Sequence, residues 1–214
     1  MRSCIIDISN LVHRAKHGVG RSSAISNPYD PFGETIIDSK DDLRVGLILT
    51  SVFAGIFAAY QKFNADHLVA TFDTRSWRRD FYEDYKGNRR TKVKTPEEEA
   101  DGEMINQIID QVRDFFKSYT NVTVLEADKA EADDFIARWV QIHDDPAFSH
   151  VIVSTDGDFK QLVREEVELY DPMSNILYCM DGIFHQDTRK KKKNEPVVKR
   201  HGQTWRLKMD KNGE

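Results

Sequence analysis

The stretch Val151–Leu162, VIVSTDGDFKQL, decides the fold that this sequence predicts. Its first three residues are apolar strand formers and predict a short buried β-strand. Asp156 and Asp158 follow, separated by one glycine, and Phe159–Val163 then predicts a helix-like segment. Open α/β sheets hold their functional sites at the carboxyl ends of parallel strands. The stretch therefore indicates either such a site or a strand-to-helix corner with a capping aspartate.

Strands and helices alternate along the rest of the chain. This alternation predicts an α/β fold with a mostly parallel central sheet and helices on both faces. The predicted elements are a strand at Ser3–Ile8, a helix at Leu11–Lys16 capped by Ser9 and Asn10, a loop at His17–Gly33, a helix at Asp41–Phe63, a strand at His67–Phe72, a helix from Thr95 to about Lys117, a strand at Asn121–Leu125, a helix at Ala130–His143, and a hairpin of Glu168–Tyr170 with Ile176–Cys179.

Length and composition fit one domain with an appendage, since the chain has 214 residues of which 39% are hydrophobic. Cys4 and Cys179 lie far apart, which indicates a reducing compartment and no disulfide framework. The start of the chain lacks the apolar run of a signal peptide. The most apolar window, Val45–Tyr60, is interrupted by polar residues and predicts a buried helix rather than a membrane span. We therefore expect no membrane association.

Charge is distributed unevenly around the net value of −5. Residues 189–214 contain ten Lys/Arg and three Asp/Glu, and Arg75–Lys94 contains eight and three. Periodicity ends near Phe184, so we expect a domain at residues 1–184 and a basic, flexible tail at 185–214. Basic islands in an acidic chain are typical of an enzyme that binds metal ions and a polyanion at different places. Each island alone also fits a solvated surface.

Carboxylates recur where predicted strands end and helices begin. Carboxylates that meet at one sheet edge would repel one another unless cations bind between them. Oxygen ligands favour Mg²⁺ or Mn²⁺ over zinc, and so many acids favour two ions, an arrangement that hydrolyses phosphodiesters. A single acid is more often a cap or a surface charge, so the recurrence carries the prediction. The seven acids are Asp7, Asp73, Glu131, Asp133, Asp134, Asp156 and Asp158.

Four motifs together resemble the 5′-nuclease family, which includes flap endonucleases, the 5′–3′ exonuclease domain of bacterial DNA polymerase I and the phage 5′ nucleases. Their order and spacing match across about residues 3–183. The resemblance implies a PIN-like 5′-nuclease fold with a helical arch around residues 78–103. The motifs are IDISNL at 6–11 with Arg14 beyond it, YKGNR at 85–89, EADD at 131–134 and STDGD at 154–158.

The resemblance also implies roles for the acids. Asp156 and Asp158 would be catalytic as well as metal-binding. The ligands of the first metal would be Asp7, Asp73, Glu131 and Asp133. The remaining acids, Asp134, Asp156 and Asp158, would lie between the two metals or bind the second one. Within the predicted helix start, Glu131 and Asp134 lie on one face, while Asp133 points elsewhere unless the first turn is irregular.

The basic island would form the nucleic-acid contacts. By resemblance, Arg14 contacts a phosphate, Tyr85 stacks on a base, and Lys86 and Arg89 neutralise the scissile phosphate. The physical argument agrees, because Lys86, Arg89 and Arg90 would share one cationic face if this stretch were helical. An aromatic residue beside such a face suits single-stranded nucleic acid.

The function that the resemblance implies is that of a 5′–3′ exonuclease and flap endonuclease. It would act on DNA at junctions of single strand and duplex, or on RNA–DNA hybrids, with Mg²⁺ or Mn²⁺, in a bacterial or phage-infected cytoplasm. After Phe184, however, the sequence lacks the family's helix–three-turn–helix element. Three explanations are open. A second chain would supply that element, the present sequence would be a truncated form, or the basic tail would replace the element. A PIN-like ribonuclease and a catalytically incomplete, nucleic-acid-binding half of a split nuclease stay open as alternatives.

Overall fold

The computed structural model describes residues 1–19, 40–82, 84–86, 93–186 and 195–208. In this part of the chain, nine strands form one sheet and five α-helices pack around it. The strands are β1 (Arg2–Asp7), β2 (His67–Thr71), β3 (Thr123–Leu125), β4 (Ser149–Val153), β5 (Val167–Asp171), β6 (Ile176–Cys179), β7 (Gly182–His185), β8 (Val197–Arg200) and β9 (Gln203–Leu207). The helices are α1 (Ile8–Val19), α2 (Lys40–Lys62), α3 (Arg78–Phe81), α4 (Pro96–Tyr119) and α5 (Ala132–Ile142).

The sheet has a parallel half and an antiparallel half. Its strand order is β3-β2-β1-β4-β5-β6-β7-β9-β8. The pairs from β3 through β5 are parallel, and those from β5 through β8 are antiparallel. The predicted parallel sheet and the predicted hairpin of β5 and β6 are thus confirmed. Because β1 lies at the centre of the parallel half, its carboxyl end has a strand end on either side.

Side chains of the parallel strands alternate between two cores. Cys4 and Ile6 of β1 join the larger core, which contains residues of α1, α2 and α4. Ile5, between them, joins a smaller core with Ile136 and Val140 of α5. Buried parallel strands expose neither face to water, which explains their continuous apolar sequences. Helices therefore cover both faces of the sheet, as predicted.

Helix α1 begins directly after β1, earlier than the predicted start at Leu11. The Asp7 side chain replaces Ser9 and Asn10 as the cap, since its Oδ1 accepts the Asn10 N–H at 2.9 Å. The helix also continues to Val19, through the first residues of the predicted loop. The rest of that loop lies outside the described residues. This direct connection fixes Asp7 where the strand becomes a helix.

Helix α2 agrees with the predicted helix at Asp41–Phe63 to within one residue at each end, but it is apolar over a longer stretch than the predicted window Val45–Tyr60. By length and composition, Asp42–Lys62, with 21 residues and a mean hydropathy of 1.8, could cross a membrane. Core helices of globular domains meet the same criterion. Ile48, Val52 and Ile56 of this helix are buried among α1 and α4, which accounts for its apolar face.

Among the described residues of the predicted arch region, only short helical structure precedes Pro96. Helix α3 has four residues, and Lys86 lies in a turn with a φ of 53°. A left-handed residue cannot continue an α-helix, so the prediction of a helical face through Lys86 is wrong at that residue. Arg89 and Arg90 lie outside the described residues. Helix α4 begins as predicted, with a capping box between Thr95 and Glu98.

The prediction of a flexible tail after Phe184 is wrong for residues 195–208. Strands β8 and β9 form a hairpin, and β9 pairs with β7 to extend the sheet. Trp205 of β9 is fully buried against Phe63 and Tyr170, with ring centroids at 6.4 and 6.3 Å. Residues 187–194, which include most of the basic run, and 209–214 lie outside the described residues.

Candidate active site

Four carboxylates meet at the carboxyl edge of the parallel strands. Asp7 ends β1, Asp73 follows β2, Asp133 lies in the first turn of α5, and Asp156 follows β4. Asp7 is only 7% exposed. Burial raises the pKa of Asp7 to about 7; the Asn10 N–H opposes this rise, and the charges of the other three acids reinforce it. These electrostatic contributions show that the sheet edge brings the four together, and we call them the acid group.

Backbone contacts hold the members of the acid group in place. Asp73 Oδ1 accepts the Ala132 N–H at 2.8 Å, which ties the end of β2 to the start of α5. Asp156 Oδ1 accepts the Asp158 N–H at 2.9 Å. The pKa of Asp133 is raised, first by burial and then by the charges of Asp73 and Asp156. Among the described residues, therefore, the acid group carries more negative charge than its surroundings neutralise.

Glu131 is in the opposite electrostatic situation. Its carboxylate accepts hydrogen bonds from Ser76 at 2.7 Å, Arg78 at 2.9 Å, Tyr85 at 2.8 Å and Lys86 at 2.5 Å. Burial acts to raise the pKa of Glu131, but hydrogen bonds from Lys86, Ser76 and Tyr85 outweigh it and lower the pKa to about 2. Glu131 is therefore an ionised anchor for the residues of the basic island.

Asp134 faces Arg78 and Glu131 and not the acid group. Its two oxygens accept hydrogen bonds from the two terminal nitrogens of Arg78 at 2.8 and 3.1 Å, and Oδ2 also accepts the Glu131 N–H at 3.2 Å. The predicted shared face of Glu131 and Asp134 is confirmed by their common partner Arg78. Asp133, predicted to point elsewhere, is the residue of the EADD motif that joins the acid group.

The structure thus separates the seven predicted acids into subsets. Four form the acid group, and Glu131 adjoins it through its influence on Asp133. Asp158 is exposed, and it is not among the charges that most raise the pKa of Asp7 or Asp133. The expectation that all seven carboxylates meet in one pocket is therefore too simple, because the acids in the first turn of α5 point in different directions.

The donor chemistry of the acid group fits hard divalent cations. Within the described residues, no three Asp, Glu, His or Cys side chains are already spaced to hold a metal ion. The acid group nevertheless supplies only carboxylate oxygens, which Mg²⁺ and Mn²⁺ prefer. Burial is the main cause of the raised pKa of Asp7 and the neighbouring acids add to it, and a bound cation would oppose both effects by favouring the ionised carboxylate.

Arg14 lies beside a cavity on the α1 and α2 side of the sheet. The cavity has a volume of about 590 Å³, and Lys62 and Tyr170 also line it. Burial lowers the pKa of both Arg14 and Lys62. Lys62 Nζ donates to Gln186 Oε1 at 2.6 Å and to Asn175 Oδ1 at 3.1 Å, both neutral acceptors. The cavity is therefore lined by two cations. The sequence motifs indicated Arg14 as a phosphate-binding residue but did not indicate Lys62.

Two further residues of the site escaped sequence reasoning. Arg78 joins Glu131 and Asp134, and the buried Ser76 donates to Glu131. The only sequence signal for either was the excess of Lys and Arg in residues 75–94. That signal predicted a cationic region without showing which cation would bind which acid.

An α/β sheet whose parallel half carries carboxylates at its carboxyl edge, beside a cationic turn, is the arrangement of the 5′-nuclease fold. The chain belongs to the family described as 5′-3′ exonuclease, N-terminal resolvase-like domain, whose profile matches residues 2–197. It is 34% identical to the ribonuclease H of Enterobacteria phage T4 over 142 residues, which cover 60% of this chain and 44% of that protein. It is 32% identical to flap endonuclease Xni of Pseudoalteromonas translucida over 123 residues, which cover 56% and 43%.

Solved structures from phage T5 share the fold. The T5 5′-exonuclease with bound divalent zinc ions has a TM-score of 0.63 at 22% identity. The T5 flap endonuclease in a complex with DNA and metal ions has a TM-score of 0.60 at 23% identity. Both matches cover 84% of this chain and 58% of the T5 protein. The chain thus spans less than half the length of the two curated relatives and somewhat more than half of the T5 proteins.

Proposed function

We propose that this chain is a metal-dependent 5′ nuclease that acts on DNA as a 5′–3′ exonuclease and flap endonuclease. The observation that carries the proposal is the acid group, whose excess negative charge lies next to the Glu131 anchor and Lys86. The family membership and the names of the phage and bacterial relatives support the reaction. The bound metal ions and DNA in the T5 structures support the cofactor and the substrate.

Charge balance favours two divalent ions. Arg78 and Lys86 offset Glu131 and Asp134, because each of the four makes an ion pair within this set. The acid group together with Asp158 would then carry five negative charges when fully ionised, of which two divalent cations would balance four. Asp7, Asp73 and Asp133 would hold one ion, and Asp156 with Asp158 the other. Bound Mg²⁺ or Mn²⁺ would supply a hydroxide nucleophile and stabilise charge on the phosphate.

Lys86 would stabilise negative charge on the reacting phosphate. Burial acts to lower the pKa of Lys86, but the hydrogen bond and charge of Glu131 prevail and raise it. The ammonium group therefore stays charged over the whole working range of pH. Tyr85 lies beside it, with the Lys86 Nζ 5.2 Å from the ring centroid. A fixed cation next to the acid group stabilises transition-state charge without reorganisation during the reaction.

Other parts of the substrate would bind at more distant positions. Arg14 and Lys62 would attract a backbone phosphate to their cavity, and Arg89 and Arg90 would extend the cationic surface. RNA–DNA hybrids are a second substrate in this proposal. A helix–three-turn–helix element on a separate chain would complete the duplex grip, and we place the reaction in the cytoplasm of a bacterium or a phage-infected cell.

Cleavage of a 5′-labelled flap duplex tests the proposal. The 214-residue chain would be assayed with Mg²⁺, Mn²⁺ or EDTA, beside Asp156→Asn and the matched control Asp114→Asn, which removes an exposed acid of α4. We expect metal-dependent cleavage near the junction in the parent and the control, and none in Asp156→Asn, which should still bind DNA. Binding without cleavage in either metal would refute the proposal in favour of an incomplete half of a split nuclease. Faster cleavage of RNA than of DNA would favour a PIN-like ribonuclease.

A further inference from the structure

Three large aromatic side chains at helix α3 are exposed to solvent. Trp77 is 43% exposed, Phe81 76% and Tyr82 69%. Contiguous exposed apolar surface is uncommon on proteins and marks sites of interaction. These three residues lie within six positions of the sequence, and we call them the aromatic platform.

The platform is held in a defined geometry. The Trp77 and Phe81 rings pack edge to face, with centroids 6.0 Å apart and an interplanar angle of 75°. The Arg78 guanidinium lies over the Trp77 ring at 4.9 Å from its centroid. The backbone N–H of Trp77 donates to the Lys129 carbonyl at 2.8 Å, which fixes the chain where the ring is attached. The rings are therefore partly ordered before any partner binds, which lowers the entropic cost of binding.

Among the described residues next to the platform, cations outnumber acids, the acids being Asp80 and the exposed Asp84. Arg75, Arg79 and Lys129 lie next to it on the surface, and Asp80 is the one acid that pairs with any of them in the described structure. Arg79 is exposed and pairs with no acid among the described residues. Aromatic rings with a cationic rim match a single-stranded polyanion, whose bases stack while its phosphates meet the cations.

The platform is also continuous with the candidate active site. Arg78, which lies over Trp77, forms ion pairs with Glu131 and Asp134. On the other side, the Tyr82 carbonyl accepts the N–H of Tyr85, a residue that contacts Glu131. A strand lying on the platform would therefore be next to the residues that border the acid group.

We propose that the aromatic platform stacks on unpaired bases of single-stranded DNA and directs that strand toward the acid group. The proposal rests on the proposed nuclease function for its direction, but the stacking itself does not require cleavage. A protein partner would also cover apolar rings. The cationic rim and the continuity with the acid group favour nucleic acid over a protein.

Binding of an oligothymidine of about ten nucleotides, labelled with fluorescein, tests the platform in EDTA, where cleavage is absent. We expect Phe81→Ala to weaken binding roughly tenfold, in line with the loss of one stacked base. An abasic strand of the same length should bind the parent weakly, and Phe81→Ala should reduce the affinity for that strand by no more than about twofold. Phe81→Tyr, which keeps a ring, should bind like the parent, as should the control Tyr119→Ala, which removes a ring that is 80% exposed on α4.

Trp77 offers a second readout, because Trp205 is buried and Trp139 is half-buried. Oligothymidine should quench tryptophan fluorescence of the parent, and most of this quenching should disappear in Trp77→Phe. The platform proposal would be overturned if Phe81→Ala lost the same factor of affinity for normal and abasic strands. It would also be overturned if the parent bound no oligothymidine. If the parent fails to cleave a flap while ring-dependent binding persists, the nuclease function fails and the platform stands. If the parent cleaves and Phe81→Ala binds normally, only the platform fails.

Discussion

Replacing Asp7 by Asn should stabilise the metal-free protein at neutral and alkaline pH. The folded pKa of about 7 lies roughly 3 units above the ordinary value of 3.8. At 1.36 kcal/mol for each unit, ionising Asp7 in the folded protein costs about 4 kcal/mol relative to the unfolded chain. The sign follows from proton binding. Between pH 4 and 7 the folded state holds the proton more tightly, so stability falls as pH rises.

Asn should remove this cost and keep the local structure. Its amide oxygen can accept the Asn10 N–H as the Asp7 carboxylate does at 2.9 Å. We therefore expect Asp7→Asn to raise the free energy of unfolding by about 2–4 kcal/mol at pH 8 in EDTA and by less than about 1 kcal/mol at pH 4.5. Cleavage should be lost. The variant would then be more stable and inactive, as expected where an active site stores electrostatic strain.

Urea denaturation followed by far-ultraviolet circular dichroism measures the effect at pH 4.5, 6 and 8, in EDTA and in Mg²⁺. Mg²⁺ should stabilise the parent more than the variant, because binding to the folded state adds to its stability. Asp114→Asn should show the pH dependence of the parent. The reasoning is refuted if parent and Asp7→Asn share one pH dependence in EDTA, or if the variant is the less stable protein at pH 8.

Three further predictions concern other parts of the molecule. Lys86→Ala should lower the single-turnover cleavage rate by about 10²-fold or more while changing DNA affinity less than tenfold; equal losses in both would contradict a role in stabilising the reacting phosphate. Trp205→Ala should lower the free energy of unfolding by about 3–5 kcal/mol in urea denaturation, because a fully buried ring leaves a cavity. Burial acts to raise the pKa of Glu168, but the hydrogen bond and charge of His201 prevail and lower it. The ionised Glu168 therefore stabilises the fold, and this stabilisation should be lost as pH falls through the lowered pKa. Glu168→Gln should therefore cost about 2 kcal/mol at pH 7 and progressively less as pH falls through the lowered pKa, and a cost that does not change with pH would count against the ion pair.

The parallel half of the fold could be predicted because its sequence signals are local and repeated. Apolar runs of about three residues alternate with helical periodicity, and each run is followed by a polar residue near the sheet edge. The hairpin of β8 and β9 lacked such a signal, because Lys, Thr and Arg occupy its exposed face and Arg and Gln interrupt the apolar residues on the face of Trp205. One pointer existed in His201 and Gly202, which have φ values of 52° and 73° and form a two-residue turn. A His-Gly pair indicates such a turn less strongly than Asn-Gly.

The acid group shows where sequence reasoning about a site stops. Recurrence of carboxylates at strand ends was enough to locate it, since parallel topology brings those ends to one edge. The EADD motif, however, places three acids in four residues, and each residue of a helix turns the next by about 100°. A change of one position in the helix start would therefore exchange Asp133 and Asp134.

That exchange is decided by a residue distant in the sequence. Arg78 binds Glu131 and Asp134 together, so these two acids must face α3, and Asp133 is left to face Asp7 and Asp73. Helix propensity cannot reveal this, because the choice depends on a contact across 53 positions of the chain. It also couples two parts of the site. Any change that frees Arg78 removes the ion pair of Asp134 and one of the donors to Glu131, so the basic region and the acids depend on each other.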